Sequence, residues 1–133
     1  MIPKFRVWHY ELGGLMSVKC MFFQDSEIEE FELNDALMND YITAYPDEIE
    51  LMQSTGLKDK NSKEIFEGDV LEIQDEGEVL GNAKLTWDNE QVVFMIEAIS
   101  VDNIAPFHEI LSDDSYSYRV VGNVYENPEL LEN

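Results

Sequence analysis

Two histidines and one cysteine are the side chains in this sequence with the most versatile chemistry, and neither type is arranged for catalysis. His9 stands between Trp8 and Tyr10 in a stretch typical of a strand, and His108 follows Pro106 in an apolar stretch. Nucleophilic catalysis needs a nucleophile, a base and an orienting group. No serine has the flanking sequence of a nucleophile elbow. We therefore expect packing or surface roles for both histidines, and we expect that the protein is not an enzyme.

Metal and cofactor sites have as little support as catalysis. The single cysteine, Cys20, excludes an intramolecular disulfide and any multi-cysteine metal site. The segment DKNSKEIFEGDV starts like a calcium-binding EF-hand loop, with Asp59 and Asn61 at its first and third positions. It then departs from the loop, because Lys63 holds the fifth position and Val70 the closing glutamate position. With no phosphate-binding glycine motif either, we expect no metal, no cofactor and no catalytic residue.

The net charge of the chain limits the classes of partner that it can bind. The chain has 8 basic and 29 acidic residues, which gives a formal net charge of −21. Such a surface repels phosphate groups, so we expect no binding to nucleic acid or to an anionic membrane. The small basic island of Lys58, Lys60 and Lys63 cannot offset this field. The N-terminus has no apolar signal-peptide core, and no apolar run approaches the length of a membrane span. A cytoplasmic protein is expected.

The acidic residues are concentrated in one part of the chain. No basic residue lies between Lys19 and Lys58, whereas residues 25–50 carry ten carboxylates. One interpretation is a solvated face, and the other is a docking surface for a basic partner. Composition alone leaves both open, and no individual binding residue can be assigned.

The elements that would position these residues are mostly strands. Residues 5–9 alternate in polarity, and a turn at Gly13 and Gly14 leads into LMSVKCMFF, so the chain opens with a predicted hairpin. After it the pattern is ambiguous. Phe31 and Leu33 alternate as in a strand, but apolar residues also recur at helical spacing. We favour a helix that begins at Ser26, where Glu29 would complete a capping box.

The patterns of the later segments predict short strands separated by turns. Strands are predicted at residues 48–54, 65–74, 78–87, 91–99 and 116–125. Residues 104–111 favour one helical turn, and Asn127 with Pro128 indicates a short C-terminal helix. The expected fold class is mainly β, a β-rich α+β protein. Residues 1–47 would form an N-terminal hairpin region with the acidic segment and residues 48–133 a small β-barrel, the two together making up one compact unit or two.

Three blocks of sequence are familiar. They are KFRVW at residues 4–8, LMQSTGLKDKNSKEIFEGDVL at residues 51–71 and VVGNVYENPELLE at residues 120–132. Together they resemble the YopX family, small proteins of bacteriophages and prophages of Gram-positive bacteria. The acidic stretch at about residues 20–48 matches least. The chain departs from the family at His9, where aspartate is usual, and at Ser62, where glycine is usual.

The resemblance implies structure more than biochemistry. The C-terminal part of the family's proteins is similar to an SH3-type barrel. No enzymatic activity defines the family, so the resemblance assigns no catalytic residue to this chain. In such barrels a Gly-Asp pair, here Gly68 and Asp69, makes a tight bend before an apolar strand. Gly122 in the last strand predicts a bulge or a close approach of two backbones.

Two functions remain in competition. The first is a non-enzymatic, homo-oligomeric phage or prophage accessory protein that binds another protein, in particular a basic protein of the host or the phage. The second is an acidic DNA mimic that inhibits a host protein which binds nucleic acid. Direct nucleic-acid binding and a carboxylate-based hydrolase rank below both.

Overall fold

The structure, a computed structural model, describes residues 4–35, 40–99 and 103–131. Strands account for 65% of it, arranged as antiparallel sheets with very little helix, so the mainly β prediction is confirmed. The chain divides into two units, Ile2–Gln53 and Ser54–Asn133. The boundary falls inside one strand, because β5 begins in the first unit and ends in the second.

The N-terminal unit contributes strands in the order β4-β3-β2-β1-β5 to an antiparallel sheet of six strands, whose sixth strand pairs with the end of β5. Its strands are β1 (Phe5–His9), β2 (Gly14–Gln24), β3 (Glu27–Asp35), β4 (Asp40–Ala44) and the start of β5 (Ile49–Lys58), and a short 3-10 helix (Pro46–Glu48) precedes β5. The predicted opening hairpin is confirmed as β1 and β2, with Val7 opposite Met16. On its other side β1 pairs with β5, which places Val7 opposite Leu51.

One face of this sheet forms the core of the unit. Alternate residues of each strand point to that face. Its buried members are Val7, Phe31, Leu33, Ala44 and Ile49. Each large apolar side chain that is fully buried contributes roughly 1.5–3 kcal/mol, so this face stabilises the unit.

The predicted helix at Ser26 is wrong. Gln24 pairs with Glu27 around a two-residue turn, and the residues that follow form β3. Phe31 and Leu33 are both buried and alternate with half-buried neighbours. The alternation typical of a strand was therefore the correct one of the two patterns in this segment. Ser26 belongs to the hairpin turn and caps no helix.

The C-terminal unit contains the remaining strands. They are the end of β5, then β6 (Glu64–Phe66), β7 (Asp69–Asp75), β8 (Glu78–Asp88), β9 (Val93–Ala98), β10 (Asn103–Pro106) and β11 (Tyr116–Asn123). The one-turn helix α1 (Phe107–Leu111) and a terminal 3-10 helix (Pro128–Leu131) lie where the sequence predicted helical turns. The single strand predicted over residues 65–74 is divided into β6 and β7 by a turn.

Five of these strands form an open sheet in the order β10-β9-β8-β7-β11. A closed barrel would need β10 and β11 to pair with each other, and in the described residues they form the two edges of this sheet. The expected barrel is therefore an open sheet. Its core contains Ile65, Leu71, Ile73, Ala83, Leu85, Ile96 and Phe107. The Phe107 ring packs edge-on against Tyr118 with a centroid distance of 5.4 Å.

The predicted bend at Gly68 and Asp69 is confirmed. Gly68 has a φ of +89°, a left-handed conformation that glycine adopts at little cost. Its N–H donates to the carbonyl of Leu85, and its own carbonyl accepts from the N–H of Val124. Asp69 is buried, and its Oδ2 accepts a hydrogen bond of 2.8 Å from the N–H of Phe66. The side chain of Asp69 thus holds the turn between β6 and β7 closed.

The bulge predicted at Gly122 is confirmed, whereas the close approach at this residue is made by side-chain atoms and not by a second backbone. The register of β11 against β7 shifts between Val120 and Gly122, which is a β-bulge. A Cβ atom at Gly122 would collide with the side-chain amide of Asn127 and would lie 2.8 Å from a methyl group of Leu130. Only glycine lets the terminal 3-10 helix pack this closely on the last strand.

Candidate protein-binding surface

The residues that could do chemistry have structural or surface positions. His9 is buried, and its Nδ1 accepts a hydrogen bond of 3.2 Å from the N–H of Leu12, which closes the turn between β1 and β2. His108 is exposed on α1, in the other unit. Cys20 is a half-buried free thiol on β2. The packing role expected of His9 is therefore what the structure shows.

Asp59 has a role that the sequence did not reveal. Its side chain is only 7% exposed. Oδ1 accepts hydrogen bonds of 2.9 Å from the N–H groups of Asn61 and Lys63, and Oδ2 accepts one of 2.8 Å from Val120 on β11. The carboxylate therefore fastens the polar loop between β5 and β6 to the last strand of its unit. The sequence feature that could have indicated this role is the pattern Asp-x-Asn at residues 59–61, because an aspartate in such a pattern often accepts hydrogen bonds from its own loop.

The electrostatics of Asp59 follow from these contacts. Burial alone would raise the pKa of its carboxyl group, because a buried charge loses hydration. The N–H groups of Val120, Lys63 and Asn61, together with the charge of Lys63, outweigh burial and lower the pKa below its ordinary value. Asp59 thus stays ionised, and its charge is satisfied by backbone donors.

Several basic side chains are engaged by neighbours of their own unit. Arg119 forms a two-pronged ion pair with Glu72, with N–O distances of 3.0 and 3.1 Å. Lys84 lies 3.5 Å from Glu97 on the adjacent strand. In the N-terminal unit the ammonium group of Lys19 lies 3.5 Å from the centre of the Tyr41 ring. The chain has 29 acidic residues and only 8 basic ones, so most of its carboxylates cannot pair with a basic side chain of the same chain.

The acidic stretch lies largely on strands of the N-terminal unit. On β3 the apolar residues Phe31 and Leu33 enter the core, while Glu27 and Glu29 are exposed. Glu30 and Glu32 are half-buried, opposite Phe22 and Cys20 of β2. Carboxylates thus line the strand on the positions that the core does not use.

The end of the β2–β3 hairpin combines this charge with exposed aromatic rings. We define the hairpin end as residues 22–30. Phe22 is 46% exposed and Phe23 is 61% exposed. The turn between the strands is Asp25 and Ser26, and carboxylates of β3 follow it. Aromatic side chains with an exposed face and a charged surround are frequent anchors of protein interfaces. The hairpin end is therefore the candidate binding surface, and sequence reasoning missed its two phenylalanines.

The described residues contain neither the side-chain cluster of a metal site nor a helix that could cross a membrane. Within residues 4–35, 40–99 and 103–131, no group of three or more His, Cys, Asp or Glu side chains could hold a metal ion. None of the helices in that part of the chain has the length and apolar character that a membrane crossing requires.

Comparison with known proteins places the chain in a family. The description "YopX protein" belongs to the family model that matches residues 4–132. The crystal structure of protein EF1440 from Enterococcus faecalis is 30% identical, with a TM-score of 0.66 and 99% coverage of both chains. Protein yopX from Bacillus subtilis, at 17% identity, has the same fold, with a TM-score of 0.61 and coverage of 97% of this chain and 98% of that one. Among functionally curated proteins, none matches the sequence. The chain belongs to the YopX family.

Proposed function

We propose that this YopX-family protein is a non-enzymatic, self-associating protein of a phage or prophage that binds a basic protein in the host cytoplasm. The observation that carries the proposal is the hairpin end, where Phe22 and Phe23 are exposed beside a row of carboxylates. Exposed aromatic rings lose contact with water when a partner covers them, and the carboxylates attract a partner of opposite charge. Family membership supports the phage origin.

A non-enzymatic role is supported by how the reactive groups are used. The imidazole of His9 accepts a backbone hydrogen bond in a turn, and the carboxylate of Asp59 accepts three. Both side chains therefore hold loops of the fold in place. Binding therefore fits these residues better than proton transfer or nucleophilic attack.

Self-association is supported by the sheet edges. In the part of the chain that the structure describes, β4 pairs with β3 alone, and β10 pairs with β9 alone. The outward backbone groups of an edge strand are ready to pair with another chain. Tyr41 on β4 and Ile104 on β10 are also more than half exposed, so each edge offers apolar surface to a second copy.

The DNA-mimic alternative has one observation in its favour. Glu27 and Glu29 are both exposed on β3, which pairs with β2 at this point, so their carboxylates are held on a hydrogen-bonded hairpin. Rigidly spaced negative charges could occupy the phosphate-binding surface of a nucleic-acid-binding protein. In that case duplex DNA would displace the protein from its partner.

Four measurements test the proposal. Light scattering should give the mass of a defined oligomer, and a monomer would contradict self-association. Immobilised protein should retain host protein at low salt and release part of it at high salt, and retention of nothing would contradict the binding function. Adding duplex DNA to the bound complex separates the two candidates, since release by DNA favours the mimic. The protein itself should not shift duplex DNA in a gel at physiological salt.

A further inference from the structure

Building on the proposed function, we infer that the end of the β2–β3 hairpin is a binding finger that inserts Phe22 and Phe23 into an apolar cleft on a basic protein. This deepens the proposed function, because it assigns the contact to one element and states the chemistry of the surface that receives it. The inference would fail if another surface of the same protein carried the binding.

Exposure sets these two side chains apart. The chain has seven phenylalanines, all within the described residues, and the other five are buried or half-buried. Phe22 and Phe23 are instead 46% and 61% exposed, next to each other in one strand. A fully exposed phenylalanine gains roughly 1.5–3 kcal/mol when it is removed from water. Covering this pair would therefore contribute substantially to binding.

The geometry of the hairpin favours a cleft over a flat surface. Phe22 pairs with Glu30 and Phe23 pairs with Ile28, so Glu29 is an extra residue in β3 and forms a bulge. Successive residues of a strand point to opposite faces, which places the two rings on opposite sides of the ribbon. Each side of the ribbon thus presents a largely exposed aromatic ring at this point, although Ile28, opposite Phe23, packs against the core. A two-stranded ribbon with an aromatic ring on each side can bury both rings only between two walls.

Charge identifies the occupant. Asp25, Glu27 and Glu29 are exposed around the two rings, and the nearest basic residue along the chain, Lys19, has its ammonium group over the Tyr41 ring. A second copy of this chain has a net charge of −21 and would be repelled at this point. A cleft rimmed with lysine or arginine would gain from the same charges, both in the rate of association and in specificity. The partner that fits is a basic protein.

The turn itself is consistent with a functional tip. Asp25 and Ser26 have φ values of +52° and +69°, a conformation for which Asn-Gly is far better suited. The corresponding turn between β7 and β8 uses Glu76 and Gly77, so glycine relieves one of its two positive φ angles. A hairpin that keeps two strained non-glycine residues at its tip retains their side chains at a cost in stability.

The first test places a photo-reactive benzoyl-phenylalanine at position 23, and at position 79 as a matched control. Val79 is 55% exposed near the end of the β7–β8 hairpin, in the other unit. Illumination in host lysate should cross-link position 23, and not position 79, to a protein of basic isoelectric point. Cross-linking to a second copy of this chain, to an acidic protein or to no protein overturns the inference.

The second test measures affinity for the cross-linked protein after it has been purified. Phe22→Ser combined with Phe23→Ser should weaken binding by about tenfold or more, as expected of aromatic anchors. Val79→Ser combined with Leu80→Ser removes a similarly exposed apolar pair and should leave binding unchanged. Thermal melting of both variants checks that each is folded. Unchanged binding by the phenylalanine variant overturns the inference.

The pulldown in host lysate distinguishes this failure from failure of the proposed function. If the proposed function fails, the unmodified protein retains no host protein at low salt. If only the finger is wrong, the unmodified protein and the variant with both phenylalanines replaced retain the same host protein equally.

Discussion

The carboxylate of Asp59 accepts a hydrogen bond of 2.8 Å from the backbone N–H of Val120, which lies 61 positions further along the chain. Val120 directly precedes the bulge in β11, where the register against β7 shifts. β11 is an edge strand of its sheet, so backbone groups on its outer side are open to the loop between β5 and β6. There the carbonyl of Tyr118 accepts a hydrogen bond from the N–H of Lys60, and Asp59 supplies the acceptor for Val120, so the loop is joined to the last strand.

Replacing Asp59 should therefore destabilise the protein. Asp59→Ala removes the acceptor of three backbone N–H groups, two of them in its own loop. Net losses for hydrogen bonds to charged groups are about 1.5–3 kcal/mol each, and they are not additive. We expect a decrease of about 3 kcal/mol in the free energy of unfolding, measured by urea denaturation. Asp113→Ala is the control, since that exposed carboxylate only closes a turn through Ser115. An equal decrease in both variants would contradict this role.

The same carboxylate should make stability depend on pH. Its pKa is lower in the folded protein than in the unfolded chain, because its backbone donors outweigh the opposing effect of burial. The stabilisation is therefore complete above the unfolded pKa of about 3.9 and is lost as the pH falls through the folded value. Urea midpoints of the natural protein and of Asp59→Asn should differ most near neutral pH and converge in acid. A constant difference would show that ionisation of Asp59 is irrelevant.

Much of the fold could be predicted because local patterns agreed with the tertiary structure. The opening hairpin had both alternation and glycine at its turn, and the bend at Gly68 was marked by its Gly-Asp pair. The hairpin of β2 and β3 was missed because its turn, Asp25 and Ser26, contains no glycine. A serine with glutamate three positions later also satisfies the pattern of a helix cap. Only the burial of Phe31 and Leu33 decides between strand and helix.

The candidate site was less accessible to sequence reasoning than the fold. The concentration of acidic residues was evident from composition, but exposure of Phe22 and Phe23 was not, because an aromatic pair in a strand predicts core. The pairing of Asp59 with Val120 joins positions that no local pattern connects. Whether the C-terminal strands close into a barrel likewise depends on which edges pair, and that is a property of the assembled sheet.

Gly68 should not tolerate a branched residue. Its φ of +89° is a conformation that a β-branched side chain rarely adopts, and its buried N–H and carbonyl are both used in hydrogen bonds. Gly68→Val should lower the free energy of unfolding by about 2–4 kcal/mol. Gly14→Val is the control, because a Cβ at Gly14 meets no atom within 4 Å and its φ is not positive. A melting temperature for Gly68→Val equal to that of the control would disprove the bend.

Ser62 offers a stabilising substitution. It has a φ of +66° and donates its N–H to the carbonyl of Asp59, so the backbone of the loop needs the conformation that glycine prefers. Ser62→Gly should raise the free energy of unfolding by about 0.5–1 kcal/mol, read from the urea midpoint. Ser117→Gly, within β11, should instead lower it, because glycine weakens a regular strand. Two changes of the same sign would argue against the positive φ at Ser62.

The turn at the hairpin end gives the last prediction. Asp25 and Ser26 both have positive φ, at +52° and +69°, and they connect Gln24 and Glu27, which pair directly. Two-residue turns of this kind strongly favour Asn-Gly, because each left-handed non-glycine residue is strained by roughly 1 kcal/mol. Asp25→Asn combined with Ser26→Gly should therefore raise the urea midpoint.

Single variants separate the backbone effect from the loss of a charge. Ser26→Gly alone should account for most of the gain, since it relieves strain without altering charge, and Asp25→Asn alone should contribute less. If Asp25→Asn alone reproduced the whole gain, relief of repulsion among the carboxylates of the hairpin end would be the cause, and the strain at Ser26 would be too small to matter. If the double variant gained nothing, the turn would not have the backbone conformation described above, and one argument for a functional tip would be removed.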